Sequence, residues 1–272
     1  MIEKQYFCTK LFCMALIAMA VYDTVENERT QYTQRTLASL IQTVDLNRHR
    51  IFVIDNGSCQ ETKAFLDKFP NSINLITSPV NLGTAEAINL AWKHRQPGEH
   101  AVKMDNDVEF YRAGWVDELE EAIERDPRIG ICGLKRKDCI ERPDRTDWYK
   151  SELYLLPHEL GQRWIIGEKV NHVMGTCQMY SSALLDRIGY LFQPRLYGYD
   201  DALAAVRCHL AGFINVFLPH IEIDHIDPGD KPYQKWKEAE ANKDFQAYEH
   251  IVRQYKTWER PIYYNPFVNT LQ

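Results

Sequence analysis

Apolar runs and helix-period patterns alternate through the first half of the chain. Strands are expected at 11–22, 50–55, 73–77, 101–104 and 129–134. Between the first two, Leu37, Leu40, Ile41 and Val44 follow the i, i+3, i+4, i+7 spacing of one buried helical face. The same period covers 62–68, 84–94 and 114–124. This alternation predicts an α/β domain built on a mainly parallel sheet flanked by helices. Such sheets take their ligands at the C-terminal strand ends. The chain places polar chemistry at those ends: Tyr22-Asp23 after the first strand, Asp55-Asn56-Gly57-Ser58 after the second, and Asp105-Asn106-Asp107 after the fourth.

From 135 to 169 the pattern is irregular and rich in aromatic residues, which reads as an inserted loop or small hairpin. A strand at 173–180 follows, then a short helix at 181–188 with Ser181 as its cap, and a longer helix at 200–211 stopped by Gly212. Short strands are expected at 214–218 and 221–223. A final helix at 233–255 carries Phe245, Tyr248, Val252 and Tyr255 on one face and should dock through it. There is no internal repeat, Gly/Ser linker or independent second core. One domain over 1–232 is expected, with the C-terminal helix and aromatic tail of 233–272 packed on it.

The N-terminal run is open to a second reading. Lys4 and Lys10 precede apolar residues that include Ala18-Met19-Ala20, a pattern similar to a secretory leader with a small-residue cleavage site. Cleavage after Ala20 would remove the only strand ahead of the first helix, so the run reads as a buried first strand. It is too short to span a bilayer, which takes about 20 apolar residues, and no transmembrane segment appears elsewhere.

Composition narrows the functional classes. With 45% hydrophobic and 26% charged residues, the 272-residue chain has enough apolar material for a packed core, which excludes a disordered or low-complexity protein. A formal charge of -6 gives no broad footprint for nucleic acid. The seven cysteines form no C-x-x-C pair and read as reduced, mostly buried thiols of a cytoplasmic protein.

No Walker P-loop, dinucleotide glycine turn, G-x-S-x-G elbow or H-E-x-x-H helix occurs, so attention falls on carboxylates. Two acids two residues apart at a strand end, Asp105 and Asp107, can place one carboxylate on a divalent cation and the other on a sugar hydroxyl. An isolated D-x-D is also what a solvated turn looks like. Its context is more specific. Ile51 to Ser58, Asn81-Leu82-Gly83-Thr84, the Asp-Asn-Asp turn, Gly175-Thr176-Cys177-Gln178-Met179, Tyr197-Gly198-Tyr199-Asp200-Asp201 with Arg207 and Gly212, and His225 occur in this order. In these segments, spanning about 11–230, the chain resembles the family-2 glycosyltransferases with the GT-A fold.

The resemblance implies a donor half at about 1–135 and an acceptor half at about 136–232. Tyr22, Asp55, Asn81, Gly83, Asp105 and Asn106 would then face the nucleotide sugar, and Asp107 and His225 would hold Mn²⁺ or Mg²⁺ in a DXD motif. Gly175, Thr176 and Tyr199 would border the acceptor. Asp201 would be the catalytic base, with Asp200 as helix cap or acceptor contact. The chain departs from the family by ending its first strand in Ala20-Val21-Tyr22-Asp23, and by carrying Asp-Asp where Glu-Asp is usual, which leaves the base ambiguous between Asp200 and Asp201.

Elementary chemistry agrees. A nucleoside diphosphate leaves well when a cation neutralises its developing charge. The acceptor hydroxyl must lose a proton as it attacks an oxocarbenium-like centre, and one base in line gives inversion. The partners that the resemblance implies are a nucleoside-diphosphate sugar, with a UDP-sugar favoured, and a glycan, lipid-linked or other hydroxyl acceptor. Lys135-Arg136-Lys137 with Arg142 and Arg145 is the one dense basic cluster; it reads as a solvated face or a site for an anionic acceptor, nucleic acid being possible but not favoured. Asp55, Asp105, Asp107, Asp200, Asp201, Asp224, Asp227 and Asp230 would surround one cleft and demand a cation. The competing readings are a nucleotidyltransferase of related fold, which would need a Gly-rich basic loop after the first strand, and an inactive carbohydrate-binding relative.

Overall fold

The computed structural model describes residues 14–138, 151–229 and 232–268. Its strands are β1 (Ala15–Val21), β2 (Arg50–Asn56), β3 (Asn74–Ser78), β4 (His100–Met104), β5 (Val108–Phe110), β6 (Ile129–Arg136), β7 (Ser151–Leu155), β8 (Ile166–Val170), β9 (Cys177–Tyr180) and β10 (Ile214–His225). The helices are α1 (Thr30–Thr43), α2 (Gln60–Leu66), α3 (Thr84–Trp92), α4 (Trp115–Arg125), α5 (Ser182–Ile188), α6 (Asp200–Leu210) and α7 (Pro232–Lys256). All ten strands form one sheet, ordered β3-β2-β1-β4-β9-β6-β10-β8-β7, with β5 paired to β10.

The expected βα pattern corresponds to the parallel set β3-β2-β1-β4. Its middle member, β1, has neighbours on both sides and helices on both faces. Ile17, Met19 and Val21 join Leu37 and Leu40 of α1 on one face, and Leu16 and Ala18 join Ala87, Ile88 and Ala91 of α3 on the other. A strand buried on both faces must be apolar without alternation, which accounts for the continuous run that also looked like a leader. β1 is shorter than the expected 11–22; residues 11–13 lie outside the described residues, and Tyr22 stands beyond the strand, at the mouth of a cavity.

The second half adds strands of mixed direction. β9 enters antiparallel between β4 and β6, and is shorter than expected because 173–176 form the turn before it. The irregular region resolves in part into the antiparallel hairpin β7-β8, set against β10. The two short strands expected at 214–218 and 221–223 are one strand, β10, with register shifts that include one between Leu218 and Glu222. Pro219 lies inside that shift; it has no N–H to give a ladder, and the irregularity absorbs it. Past the shift, β10 pairs with β5, bringing His225 opposite Val108.

Ser181 caps α5 as expected, its hydroxyl accepting the Leu184 N–H. α7 docks through Ile251 and Tyr255 against Leu203 of α6, with Tyr248 and Val252 beside them. Phe245 of the expected face is instead 47% exposed. The tail returns to Gly189 and Tyr190, where Tyr264 pairs in backbone and Phe267 meets the Tyr190 ring. No helix among the described residues is long and apolar enough to cross a membrane.

Candidate functional site

The C-terminal strand ends open onto two adjoining cavities, of about 80 and 780 Å³. Tyr22, Asn56, Asn81, Asn106 and Asp107 line the smaller, and Gly175, Thr176, Tyr199, Asp200, Asp201 and His225 line the larger. Asp105 borders both. Residues expected on the donor and acceptor sides are thus gathered at one end of one sheet.

The Asp-Asn-Asp turn is held from both sides. Asp23, fully buried after β1, accepts from Asn106 Nδ2 at 2.9 Å, Thr33 Oγ1 at 2.7 Å and Thr62 Oγ1 at 3.2 Å. Asn106, expected to face the donor, thus serves the framework of the turn. Burial raises the Asp23 pKa despite these bonds. The β5-β10 pairing sets His225 Nε2 3.4 Å from Asp107 Oδ2. Burial opposes ionisation of Asp107, but the His225 hydrogen bond and charge and the Arg29 guanidinium outweigh it and hold the carboxyl well below its ordinary pKa.

Arg29 was not singled out in the sequence, yet it sits at the centre. One of its nitrogens donates to Asp107 Oδ2 at 2.6 Å, the other to Asp227, and the Tyr233 ring covers its face. Asp107 Oδ1 is buried without a hydrogen-bond partner. An unspent carboxylate oxygen beside an imidazole is a hard-oxygen and nitrogen donor set that fits Mn²⁺, so these residues fit the ion that the sequence implied.

A second network lies across the larger cavity. Lys103, an isolated charge in apolar β4, donates to Asp105 Oδ1 at 3.0 Å and Gly175 O at 2.7 Å, and lies 3.5 Å from Asp200 Oδ2. Burial opposes its charge, but Asp105, Asp200 and Asp201 keep it protonated well above the ordinary lysine range. Asp200 and Asp201 open α6 behind Gly198 and Tyr199, both at positive φ. Asp201 Oδ2 accepts the Gly175 N–H at 2.8 Å and faces His172 Nε2 at 3.2 Å, while Oδ1 accepts the Ala202 N–H at 2.7 Å. Burial would raise both carboxyl pKa values. His172 and Lys103 reverse this for Asp201 and hold it low, whereas Asp200, pressed by burial and incompletely offset by Lys103, stays raised. His172, also unexpected, is raised because Asp201 outweighs its burial.

Several expected contacts differ. Asp55 is 1% exposed; its Oδ1 accepts the Ser58 N–H, while Oδ2 is unpartnered. Asn81 Oδ1 is taken by Asn56 Nδ2 and by Gly83 N, both at 2.9 Å, so Asn81 shapes the loop. Gly83 has φ +85° and lies so close to Leu196 that a Cβ would meet its backbone at 3.0 Å. Tyr199 stacks on Tyr248 and donates to Ala241 O, which spends its ring on holding α7. Asp224 turns away to accept from Tyr111, and Asp230 lies outside the described residues. The acids of the cleft thus have fixed cations, Arg29 and Lys103, so their number alone does not measure a metal requirement. In the basic cluster, Lys135 pairs with Glu168 and Arg136 with Asp138, while Arg142 and Arg145 lie outside the described residues.

Elsewhere, His49, Asp117 and Glu120 lie within ligand spacing of one another. Arg48 pairs with both acids, and His49 Nδ1 accepts the Ala15 N–H, which leaves Nε2 protonated. That cluster is an ion-pair network.

The glycosyl transferase family 2 model matches residues 21–189. The chain belongs to this family. A search of curated protein sequences found no match. Among solved structures, the mannosyltransferase PcManGT from Pyrobaculum calidifontis, in complex with GDP-Man and Mn²⁺, is similar over 82% of this chain and 59% of its own, with 16% identity and a TM-score of 0.60. GalNAc-T7 with UDP, GalNAc and Mn²⁺ is similar over 80% and 44%, with 12% identity and a TM-score of 0.58. TarS 1–349 from S. aureus is similar over 78% and 59%, with 19% identity and a TM-score of 0.55. At these identities the likeness is one of fold, and it makes this a GT-A α/β chain spanning about half the length of those structures.

Proposed function

We propose that the protein is a glycosyltransferase that moves a sugar from a nucleoside diphosphate, with a UDP-sugar favoured, to an acceptor hydroxyl with inversion. The observation that carries the reading is the pair of adjoining cavities at the strand ends, one lined by Asp107 and the other by His225 and Asp201, with Asp105 bordering both. The donor half, about 1–135, supplies Tyr22, Asn81, Asp105 and Asp107; the acceptor half, about 136–232, supplies Gly175, Thr176, Asp201 and His225. Asp107 and His225 would hold Mn²⁺ or Mg²⁺, which supplies Lewis-acid neutralisation of the leaving diphosphate. The bound GDP-Man, UDP and Mn²⁺ of the solved relatives support the donor class and the ion.

Asp201 is the base in this reading. Its side chain is 23% exposed to the cleft against 9% for Asp200, and access to the acceptor proton comes before proton affinity in choosing a base. Two backbone N–H groups and His172 fix its orientation, and Lys103, beside Asp200, braces the same wall through Gly175. The four described cysteines are free thiols, which supports a cytoplasmic setting.

A thermal-shift panel of UDP, GDP and their sugars with Mn²⁺ tests the reading, because a ligand that binds the native state raises Tm by mass action. A shift with one base and its sugar is expected. No shift with any nucleotide, and no Mn²⁺-dependent donor hydrolysis, would sink it.

A further inference from the structure

Lys237, near the start of α7, borders both cavities and stands where they meet, together with Thr84, Asp105 and Tyr197. Its side chain is 13% exposed. The ammonium lies 4.9 Å from the Tyr233 ring centroid and 5.8 Å from that of Tyr197. Trp236 stacks on Tyr233 at 5.4 Å and completes an aromatic wall. The nearest carboxylate oxygen, Asp227 Oδ2, is 3.9 Å away, beyond hydrogen-bond range, and is already paired with Arg29.

An ammonium carries three donors, and Lys237 spends none of them on the described residues. Ring faces attract a cation, but they do not replace the hydrogen bonds it loses on leaving water. Arg29 spends its terminal nitrogens on Asp107, Asp227 and Asn106, and Lys103 donates to Asp105 and the Gly175 carbonyl. Among the described residues, Lys237 is a cleft cation whose donors are left for an incoming anion, and it waits at the junction between the two cavities.

We propose that Lys237 binds the diphosphate of the donor and neutralises it as it leaves; this rests on the donor reading above. In the transfer, the bond from the acceptor oxygen to the anomeric carbon forms as the bond from that carbon to the β-phosphate oxygen breaks. The bonding pair stays on the phosphate oxygen, the acceptor proton goes to Asp201, and Lys237 keeps its own proton while pairing with the released charge. Helix α7 is then a working wall of the donor site as well as a docked extension, and Tyr233 and Trp236 exclude water from the pair.

The test uses the full chain as wild type, Lys237→Met and Lys237→Arg, with calorimetric titration of UDP, GDP and their monophosphates in Mn²⁺. Lys237→Met should weaken the diphosphate at least about tenfold and the monophosphate much less, while Lys237→Arg stays within about threefold of wild type. The Tm of Lys237→Met without nucleotide should equal or exceed that of wild type, since no internal hydrogen bond is lost and the methionine side chain keeps the packing against the rings. Unchanged diphosphate affinity in Lys237→Met, or a lowered Tm showing a structural ion pair, overturns the assignment while leaving the donor reading intact. Binding of neither UDP nor GDP by wild type overturns both.

Discussion

Arg29 donates to Asp107 at 2.6 Å, joining the start of α1 to the acid of the Asp-Asn-Asp turn across 78 residues of sequence. Both side chains are almost fully buried, and the same guanidinium also pairs with Asp227. Replacing it with Met leaves two buried carboxylates without their cation, a defect that typically costs about 3 to 5 kcal/mol. Arg29→Met should therefore melt well below wild type in EDTA. Mn²⁺ should restore part of the loss by taking over the charge of Asp107. A Tm that falls but ignores Mn²⁺ would argue against a metal on Asp107.

Asp200 and Asp201 are neighbours with different surroundings, and amide substitutions separate them. Asp201→Asn should cut donor hydrolysis and transfer by about 10²- to 10⁴-fold, the usual contribution of a general base, with nucleotide affinity unchanged. Asp200→Asn disturbs the Lys103 network and should cost about tenfold through misplacement. Single-turnover rates alongside nucleotide titrations check this. The reverse ranking would exchange the two roles.

Much of this site was legible because its acids stand at strand ends, where a βα pattern alone says that ligands collect. Asp105 and Asp107 were expected that way and His225 from the family resemblance, and the β5-β10 pairing sets His225 beside Asp107. The cations were hidden because their partners are set by tertiary contact. Arg29 follows a polar loop and looks solvated, and Lys237 lies on a helix whose apolar face explained it away. Lys103 alone left a local trace, a charge inside an apolar strand that packing would otherwise forbid. The Pro219 shift was misread as a strand break because a missing N–H and a bulge give the same sequence signal. Asn81 was expected to face the donor and Tyr199 to border the acceptor, but the hydrogen bonds and stacking that occupy them are set by tertiary contact.

Gly175 shows how closely this wall is built. A Cβ there would lie 2.5 Å from Lys103 Nζ and 3.1 Å from Asp201 Oδ2. The lysine end can move, but it would lose the Gly175 carbonyl or Asp105, and Asp201 would shift with it. Gly175→Ala should fold, bind nucleotide normally and lower kcat by about 10- to 100-fold, because small displacements of a base are costly. A kcat within a factor of two of wild type would show that this wall tolerates the shift.

Acid sensitivity should come in part from His100, whose Nδ1 accepts the Ser182 N–H at 2.9 Å. Burial, helped by the charge of Arg95, pushes its pKa down to about 4. The unfolded chain, with histidine near 6.5, then binds more protons than the folded one between pH 4 and 6.5. Stability tied to His100 is complete above that window and is lost as pH falls through it, by up to about 3 kcal/mol. His49 is also pushed down to about 4, but it adjoins Glu120, whose carboxyl burial pushes up to about 8 and whose contribution runs the opposite way. His100 is therefore the cleaner probe. In His100→Gln the amide oxygen can accept the Ser182 N–H without titrating. Urea unfolding from pH 7 to pH 4 should show the wild type losing about 3 kcal/mol more than the variant; parallel curves would mean that His100 does not report this window.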